Sequence, residues 1–298
     1  MKPAPFEYRR PEILDQALEI LAEYGDEAKI LAGGQSLVPA MNFRLAQPSL
    51  LVDINRLDEL AYIDAGDNES NDGGLHIGAM TRQRAVECSS VVAESAPLIH
   101  QAMPYVAHVQ IRNRGTVGGS LAHADPAAEL PAILVALDAR MRAQSKAGQR
   151  WLAASDFFTG LFATALRPEE MLVGIEVPRL ADRSGHAFIE FARRHGDYAV
   201  VGVAVQVTVD SSGRCHSARV VLMSVGDRPI DAQAAAAVVS GQKPSVEVIR
   251  EAAAIAGSDE IDPHSDVHAS SDYRRHLARV LTSRALEQAF TRAGVRVE

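Results

Sequence analysis

The chain contains very few cysteines, which limits the redox centres that it could hold by itself. Cys88 and Cys215 are the only two among 298 residues, and they lie far apart in the sequence. An iron-sulfur cluster generally needs four thiolates, and a dithiol redox centre needs a CxxC pair. We therefore exclude both kinds of centre for this chain alone and expect a reducing compartment, where free thiols persist.

Long apolar runs and basic tracts are also missing. No stretch reaches the eighteen or so apolar residues of a membrane span, and residues 1–12 lack the apolar core of a signal peptide. The 38 acidic residues outnumber the 30 basic ones, and the resulting net charge of -8 disfavours binding to phosphate backbones. We expect a cytoplasmic protein with no nucleic-acid partner and no membrane insertion.

The remaining composition is that of an ordinary globular protein, and the helices and strands predicted below place it in the α+β class. Hydrophobic residues make up 47% and charged residues 23%, and 298 residues are enough for about two domains. The segment from Pro178 to Gly185 has the composition of a linker. We therefore predict a first domain at 1–177 and a second at 178–298.

Hydrophobic periodicity predicts mixed helices and strands in the first domain. Apolar residues at helical spacing between Ile13 and Leu21 indicate a helix that begins near Pro11 and stops at Gly25. Further helices are predicted at about 97–106 and at 127–137, the latter with Asp125 as N-cap and Pro126 at its first position. Strands are predicted at 29–32, 50–54, 75–79, 139–144 and 171–177.

The second domain changes to longer strands followed by alanine-rich helices. Strands are predicted at 187–193, 199–210 and 219–225, and the turn at 210–213 joins the last two as a hairpin. Helices are predicted at 232–239, 246–256 and 273–293. We expect a three-stranded antiparallel sheet covered by helices.

Two glycine-rich segments could bind a phosphate. Gly33 and Gly34 follow a predicted strand directly, and Gly118 and Gly119 precede a polar cluster and a buried helix. Glycine lets successive backbone N–H groups converge on an anion, although a glycine pair at a strand end can equally be a plain tight turn. Neither segment is GxGxxG or GxxxxGK[ST], which argues against a Rossmann site and a P-loop.

Several ordered motifs resemble the medium, FAD-binding subunits of the xanthine dehydrogenase and carbon monoxide dehydrogenase family. The resemblance covers nearly the whole chain. The motifs are AGGQSLVP at 32–39, QIRNRGTVGGS at 110–120, HADPAAELP at 123–131, RRHGDYA at 193–199 and YRRHL at 273–277.

The resemblance implies a two-subdomain α/β region of the vanillyl-alcohol oxidase (PCMH) type, with subdomains at about 1–57 and 58–177, and then a smaller C-terminal domain. FAD would lie between the domains, with its pyrophosphate held by the two glycine-rich loops. The implied FAD-contacting residues are Ala32, Gly33, Gly34, Gln35, Ser36, Leu37, Thr116, Gly118, Gly119, Ser120, His123, Asp125, Glu129, Leu172 and Tyr198. Gln35 stands where relatives often carry histidine or asparagine.

Individual side chains take roles within this resemblance. Asp125 and Glu129 would hydrogen-bond ribityl or ribose hydroxyls, Tyr198 would lie beside the isoalloxazine, and Leu172 would contact the adenine end. Some relatives of the fold attach their flavin covalently to a histidine, which makes His123 a candidate for such a link. Its segment, however, matches the non-covalent subunits. His264, with its neighbours at 266 and 268, forms an incomplete zinc set, so no metal site is predicted.

The implied function is electron transfer without a catalytic side chain in this subunit. A large molybdopterin subunit would oxidise the substrate, and a small [2Fe-2S] subunit would deliver single electrons to the flavin. The flavin would reduce an external acceptor such as a quinone, a cytochrome, oxygen or NAD. The assembly expected is a dimer of heterotrimers.

Two alternatives remain open at this point. A stand-alone flavin oxidase of the same fold should supply its own substrate pocket and usually a larger second domain. A scaffold that has lost FAD would be free to replace its glycines, and both glycine pairs are intact. The visible spectrum and the turnover of the purified chain would separate the three functions.

Overall fold

A computed structural model describes residues 2–66 and 74–298. The strands of the first domain are β1 (Glu7–Arg9), β2 (Ala28–Leu31), β3 (Leu50–Asp53), β4 (Ile63–Asp64), β5 (Leu75–Gly78), β6 (Arg140–Ser145), β7 (Gly148–Ala153), β8 (Phe158–Gly160), β9 (Ala163–Thr164) and β10 (Met171–Val177). Its helices are α1 (Leu14–Tyr24), α2 (Leu37–Asn42), α3 (Gln83–Glu87), α4 (Ser90–Ser95), α5 (Pro97–Ala102), α6 (Val109–Arg112), α7 (Val117–His123), α8 (Glu129–Ala136) and α9 (Ala154–Phe157).

The N-terminal part of this domain is a small parallel sheet with strand order β1-β3-β2. Helix α1 connects β1 to β2 and buries Ala17, Leu18 and Leu21. This is the face that the sequence periodicity predicts, because residues three or four apart share one side of a helix. The sheet ends at the first glycine-rich loop, which follows β2.

A second sheet has the order β4-β5-β10-β6-β7 in the described chain, and its pairings are antiparallel. Its central strand, β10, is buried along its whole length. Helix α8 is also buried at every position, because it lies between helices α5, α7 and α9 of the first domain and the sheet of the C-terminal domain. Close packing around α8 fixes the position of the polar cluster that precedes it.

The C-terminal domain is an antiparallel sheet covered on one face by three helices. Its strands are β11 (Ser184–Ala192), β12 (Ala199–Val209), β13 (Cys215–Met223) and β14 (Ile230–Asp231), and its helices are α10 (Gln233–Val239), α11 (Val246–Ala256) and α12 (Ser271–Arg292). The strand order is β11-β12-β13-β14, with all three pairings antiparallel. Helix α12 packs on β11 and β12, whereas α8 of the first domain packs on β12 and β13 from the other side.

Four expectations about the elements are wrong in detail. The C-terminal sheet has a fourth strand, β14, because the chain after β13 turns back to pair with it. The predicted helix at 97–106 ends at Ala102 and continues as a 3₁₀ turn. The predicted helix at 127–137 begins at Glu129 with Ala128 as its N-cap, so Asp125 is not the cap. The glycine-rich segment at 116–120 is the first turn of helix α7 and not a free turn.

Candidate FAD site

The two glycine-rich segments lie directly against each other. A Cβ atom added at Gly33 would lie 2.5 Å from the carbonyl oxygen of Arg114 and 2.8 Å from the Cα of Gly115. A Cβ atom added at Gly119 would lie 3.6 Å from the Cβ of Ala32. Only a residue without a side chain allows the first of these approaches, since real Cβ atoms do not come so close to backbone. The structure therefore brings the two segments together as the sequence predicts.

The first loop presents a row of unpaired backbone N–H groups. Within the described chain, the amides of Gly33, Gly34, Gln35 and Ser36 donate no hydrogen bond to another protein atom. Gly34 has φ +73, a conformation that glycine tolerates best. The side chain of Gln35 folds back and donates to the carbonyl of Gly33 at 3.0 Å. Successive free amides of this kind form a concave site for an anion.

The second segment contributes less free backbone than expected. Thr116 caps helix α7, and its Oγ1 accepts the amide of Gly119 at 3.1 Å. The amide of Gly118 donates to the carbonyl of Ala79 at 2.8 Å. A Cβ atom at Gly118 would lie 2.5 Å from the Cβ of Ala79, so this glycine allows α7 to pack on the sheet. The prediction that this segment supplies a set of free amides is wrong in this respect; the Ser120 hydroxyl is its remaining short polar group.

Asn55 and Arg82 join the two segments. The Asn55 amide donates to the carbonyl of Ala32 at 2.8 Å, and its oxygen accepts from Arg82 at 2.7 Å. Arg82 also donates to the carbonyl of Arg114. Burial and the nearby charge of Arg114 lower the pKa of Arg82. The sequence does not single out Asn55 or Arg82, because neither belongs to a glycine motif.

Acidic side chains from both domains lie close to one another at the interface between the domains. Glu129 is buried, and burial together with the charge of Asp125 raises its pKa to about 7. Glu190, on β11 of the C-terminal domain, has a pKa raised to about 8 by burial and by the charge of Glu129. One oxygen of Glu190 is buried with no partner in the described residues. The sequence predicts Asp125 and Glu129 but not Glu190, which lies 61 positions after Glu129.

Tyr198 lies beside this acidic cluster. Its side chain is 67% exposed. Desolvation of the hydroxyl and the nearby Asp125 carboxylate both raise its pKa. The loop that carries it packs against the first domain at Gly196, where an added Cβ would lie 2.4 Å from the ring of His108. Asp125 itself closes a turn by accepting the amide of Ala127 at 2.9 Å.

His123 and Leu172 occupy different surroundings. His123 is half-buried with its ring 5.0 Å from that of Phe162, and burial lowers its pKa. Neutral imidazole is therefore its form at neutral pH. Leu172 is buried in the main core of the first domain. The structure thus groups His123 with the polar cluster and places Leu172 among apolar side chains, where its predicted contact with adenine stays a prediction.

Two surface cavities lie away from the candidate FAD site. One of about 570 Å³ is lined by residues of the α11–α12 region, and one of about 330 Å³ lies between α1 and the β6–β7 hairpin. Neither contains a residue of the predicted FAD site. Among residues 2–66 and 74–298, no helix combines the length and apolar character needed to cross a bilayer.

Sequence comparison places both domains in known families. Residues 4–180 match the FAD-binding domain of molybdopterin dehydrogenases, and residues 186–289 match the C-terminal domain of carbon monoxide dehydrogenase flavoproteins. The chain is 44% identical to 6-hydroxypseudooxynicotine dehydrogenase complex subunit alpha of Paenarthrobacter nicotinovorans, over 98% of this chain and 97% of that protein. It is 39% identical to caffeine dehydrogenase subunit beta of Pseudomonas sp. (strain CBB1), over 98% and 97% of the two chains.

A solved structure agrees with these relationships. A chain of carbon monoxide dehydrogenase from Hydrogenophaga pseudoflava superposes with a TM-score of 0.93 at 36% identity, over 98% of this chain and 99% of that one. The agreement includes both domains and therefore their relative arrangement. Motifs, domain matches and fold point to one conclusion: the chain belongs to the family of FAD-binding flavoprotein subunits of molybdenum-dependent dehydrogenases.

Proposed function

We propose that the chain holds one FAD without a covalent bond in the cleft between its two domains and passes electrons from a [2Fe-2S] partner subunit to an external acceptor. The observation that carries this proposal is the contact between the two glycine-rich segments, with four unpaired amides on one of them. Unpaired backbone amides suit the oxygens of a diphosphate, and the lack of a side chain at Gly33 lets the second segment pack directly against the loop that carries them.

The proposed contacts follow from what each group can donate or accept. The amides of Gly33, Gly34, Gln35 and Ser36 and the hydroxyl of Ser120 would donate to diphosphate oxygens. Ala32, Leu37, Thr116, Gly118 and Gly119 would shape the cradle, and Leu172 would approach the adenine end. Asp125 and Glu129 would accept hydroxyl protons from the ribityl or ribose groups.

Tyr198 and His123 would act on the flavin's surroundings. The exposed ring of Tyr198 can cover one face of an isoalloxazine and exclude water from it. Neutral His123 would serve as a hydrogen-bond partner. The bound flavin supplies interconversion between one-electron and two-electron chemistry. No side chain of this subunit needs to act as acid, base or nucleophile.

Relatives are named as parts of complexes, which supports the proposed partners. They include the medium chain of carbon monoxide dehydrogenase from Afipia carboxidovorans and the medium subunit of nicotine 6-hydroxylase. We place this chain in the cytoplasm as part of a dimer of heterotrimers, with a large molybdopterin subunit and a small [2Fe-2S] subunit. Its domains are proposed to divide at 177/178, with subdomains at about 1–57 and 58–177.

The test is to purify the full chain alone and with its partner subunits, and to measure visible absorption, metal content and turnover of candidate N-heterocycles or aldehydes. A yellow chain that turns over substrate only with molybdenum- and iron-containing partners supports the proposal. Turnover by the isolated chain would instead indicate a stand-alone oxidase. A colourless chain that takes up no added FAD would refute FAD binding.

A further inference from the structure

Arg274 is a buried arginine on α12 that contacts the ends of two strands. One guanidinium nitrogen, Nη1, donates to the carbonyl of Val200 at 2.5 Å and to that of Ser224 at 3.1 Å. The other, Nη2, pairs with the carboxylate of Asp266 at 2.7 Å. Val200 is the second residue of β12, and Ser224 directly follows the last residue of β13. A single side chain therefore fixes the backbone at neighbouring strand ends.

These strand ends face the proposed FAD site. Tyr198 lies two residues before Val200. The amide of Ser224 donates across the domain interface to the carbonyl of Pro126 at 2.9 Å. Pro126 follows Asp125, whose carboxylate lies near Tyr198. Arg274 thus contacts the two backbone segments that connect Tyr198 and the Asp125 turn to the C-terminal sheet.

Ser224 depends on these backbone contacts for its conformation. It has φ +62, which is uncommon for a residue with a side chain. Its hydroxyl is buried and has no hydrogen-bond partner among the described atoms, so it does not stabilise this conformation itself. Two backbone hydrogen bonds remain to hold Ser224: its carbonyl accepts from Arg274, and its amide donates to the carbonyl of Pro126. A strained residue persists only where its surroundings hold it.

We propose that Arg274 is a positioning residue of the FAD site, which holds the ends of β12 and β13 so that Tyr198 and the Asp125 turn meet the flavin. The inference rests on the proposed function, because it assumes that FAD occupies the cleft. A planar guanidinium can serve two carbonyls and one carboxylate at once, and an ammonium group cannot reproduce that fork. Arg274 acts through Tyr198 and touches no reacting atom.

The experiment compares Arg274→Gln with Arg275→Gln in the full chain. Arg275 is the next residue on the same helix and also donates to a carbonyl, that of Ser258, but within the C-terminal domain and away from the cleft. We measure FAD affinity by titration and the fluorescence yield of bound flavin. Arg274→Gln is expected to weaken FAD binding at least tenfold, or ~1.4 kcal/mol, and to raise the fluorescence of bound flavin. Arg275→Gln should stay within twofold of wild type.

A double-mutant cycle with Tyr198→Ala separates positioning from general destabilisation. Loss of the tyrosine should itself raise flavin fluorescence, because a phenol in contact with isoalloxazine quenches its emission. If Arg274 acts through Tyr198, Arg274→Gln adds no further rise in the Tyr198→Ala background. Independent, additive rises in the two variants would overturn the positioning role.

Arg274→Lys keeps the test decisive if the glutamine variant does not fold. It retains a positive charge for Asp266 but cannot hold both carbonyls, so it should also raise flavin fluorescence. Wild-type affinity and fluorescence in Arg274→Lys would overturn the inference while leaving FAD binding intact. A wild-type chain that takes up no FAD would refute the proposed function, and the role of Arg274 with it.

Discussion

Gly33→Ala tests the contact between the two glycine-rich segments. The new Cβ would lie 2.5 Å from the Arg114 carbonyl oxygen, whereas a carbon and a carbonyl oxygen normally approach to about 3.3 Å. One segment must therefore move by roughly 0.8 Å, and both contacting atoms near Gly33 belong to backbone that cannot rotate away. Overpacking of this kind costs about 1–3 kcal/mol of folding free energy.

The larger effect is expected on FAD binding. A displacement of this size takes amides of the first loop out of alignment with the diphosphate. Loss of two hydrogen bonds to a charged group costs about 3 kcal/mol or more, which corresponds to at least a hundredfold weaker affinity. The assay is equilibrium titration of the full chain with FAD, followed by flavin fluorescence, with thermal melting recorded beside it.

Gly160→Ala is the matched control. Its Cβ would meet only the Asp227 carboxylate, at an ordinary 3.4 Å. This variant should bind FAD and melt as wild type does. If Gly33→Ala bound FAD within twofold of wild type, the glycine contact could not be what shapes the diphosphate site, and the reasoning above would be refuted.

Three further perturbations have defined outcomes. Glu129→Gln in the FAD-free chain should raise the free energy of unfolding at pH 8 by up to about 3 kcal/mol, measured by urea denaturation, because burial raises the pKa of Glu129 from 4.5 to about 7. Arg112→Ala should lower the free energy of unfolding by about 3–5 kcal/mol in the same assay, because it leaves the Glu87 carboxylate without its buried partner. Arg84→Ala removes only the exposed partner of the same carboxylate and should lower it by under about 1 kcal/mol. Acid precipitation of the FAD-loaded chain should leave all flavin in the supernatant, since His123 forms no covalent link; flavin in the pellet would contradict this.

The pH dependence for Glu129 has a definite sign. Between pH 4.5 and about 7 its carboxyl is protonated in the folded chain and ionised in the unfolded one, so unfolding releases a proton there. The contribution of Glu129 to wild-type stability therefore falls as pH rises through this window and then levels off. Glutamine does not titrate, so the advantage of the variant should grow across the same window. An advantage that shrinks as pH rises would contradict the assigned burial.

Periodic segments of the sequence predict the fold well. Helix α11 and strand β10 have the predicted bounds, and helix α1 begins about three residues later and ends one residue earlier than predicted, because each has a consistent apolar pattern and a clear stop. Helix α7 is not predicted, since its first turn carries two glycines of low helix propensity. It forms because Thr116 caps it locally and because Gly118 packs on Ala79, a tertiary contact that the sequence does not show.

The candidate site is likewise predicted from the sequence only in part. Gly33 and Gly119 can be assigned from motifs, because their function follows from the lack of a side chain. The roles of Asn55, Arg82 and Glu190 depend on distances between segments that are remote in sequence. A single sequence holds no signal for such distances.

The hydrophobic core of the first domain continues without interruption into the C-terminal sheet. Phe188, Ala199, Ala204, Val221 and Met223 belong to the same buried cluster as α8. A fragment ending at Val177 would leave this apolar surface facing water and should aggregate instead of folding. We therefore expect the two domains to melt in one cooperative transition, since a shared core of this kind leaves no hinge between them at which electron entry and exit could be separated.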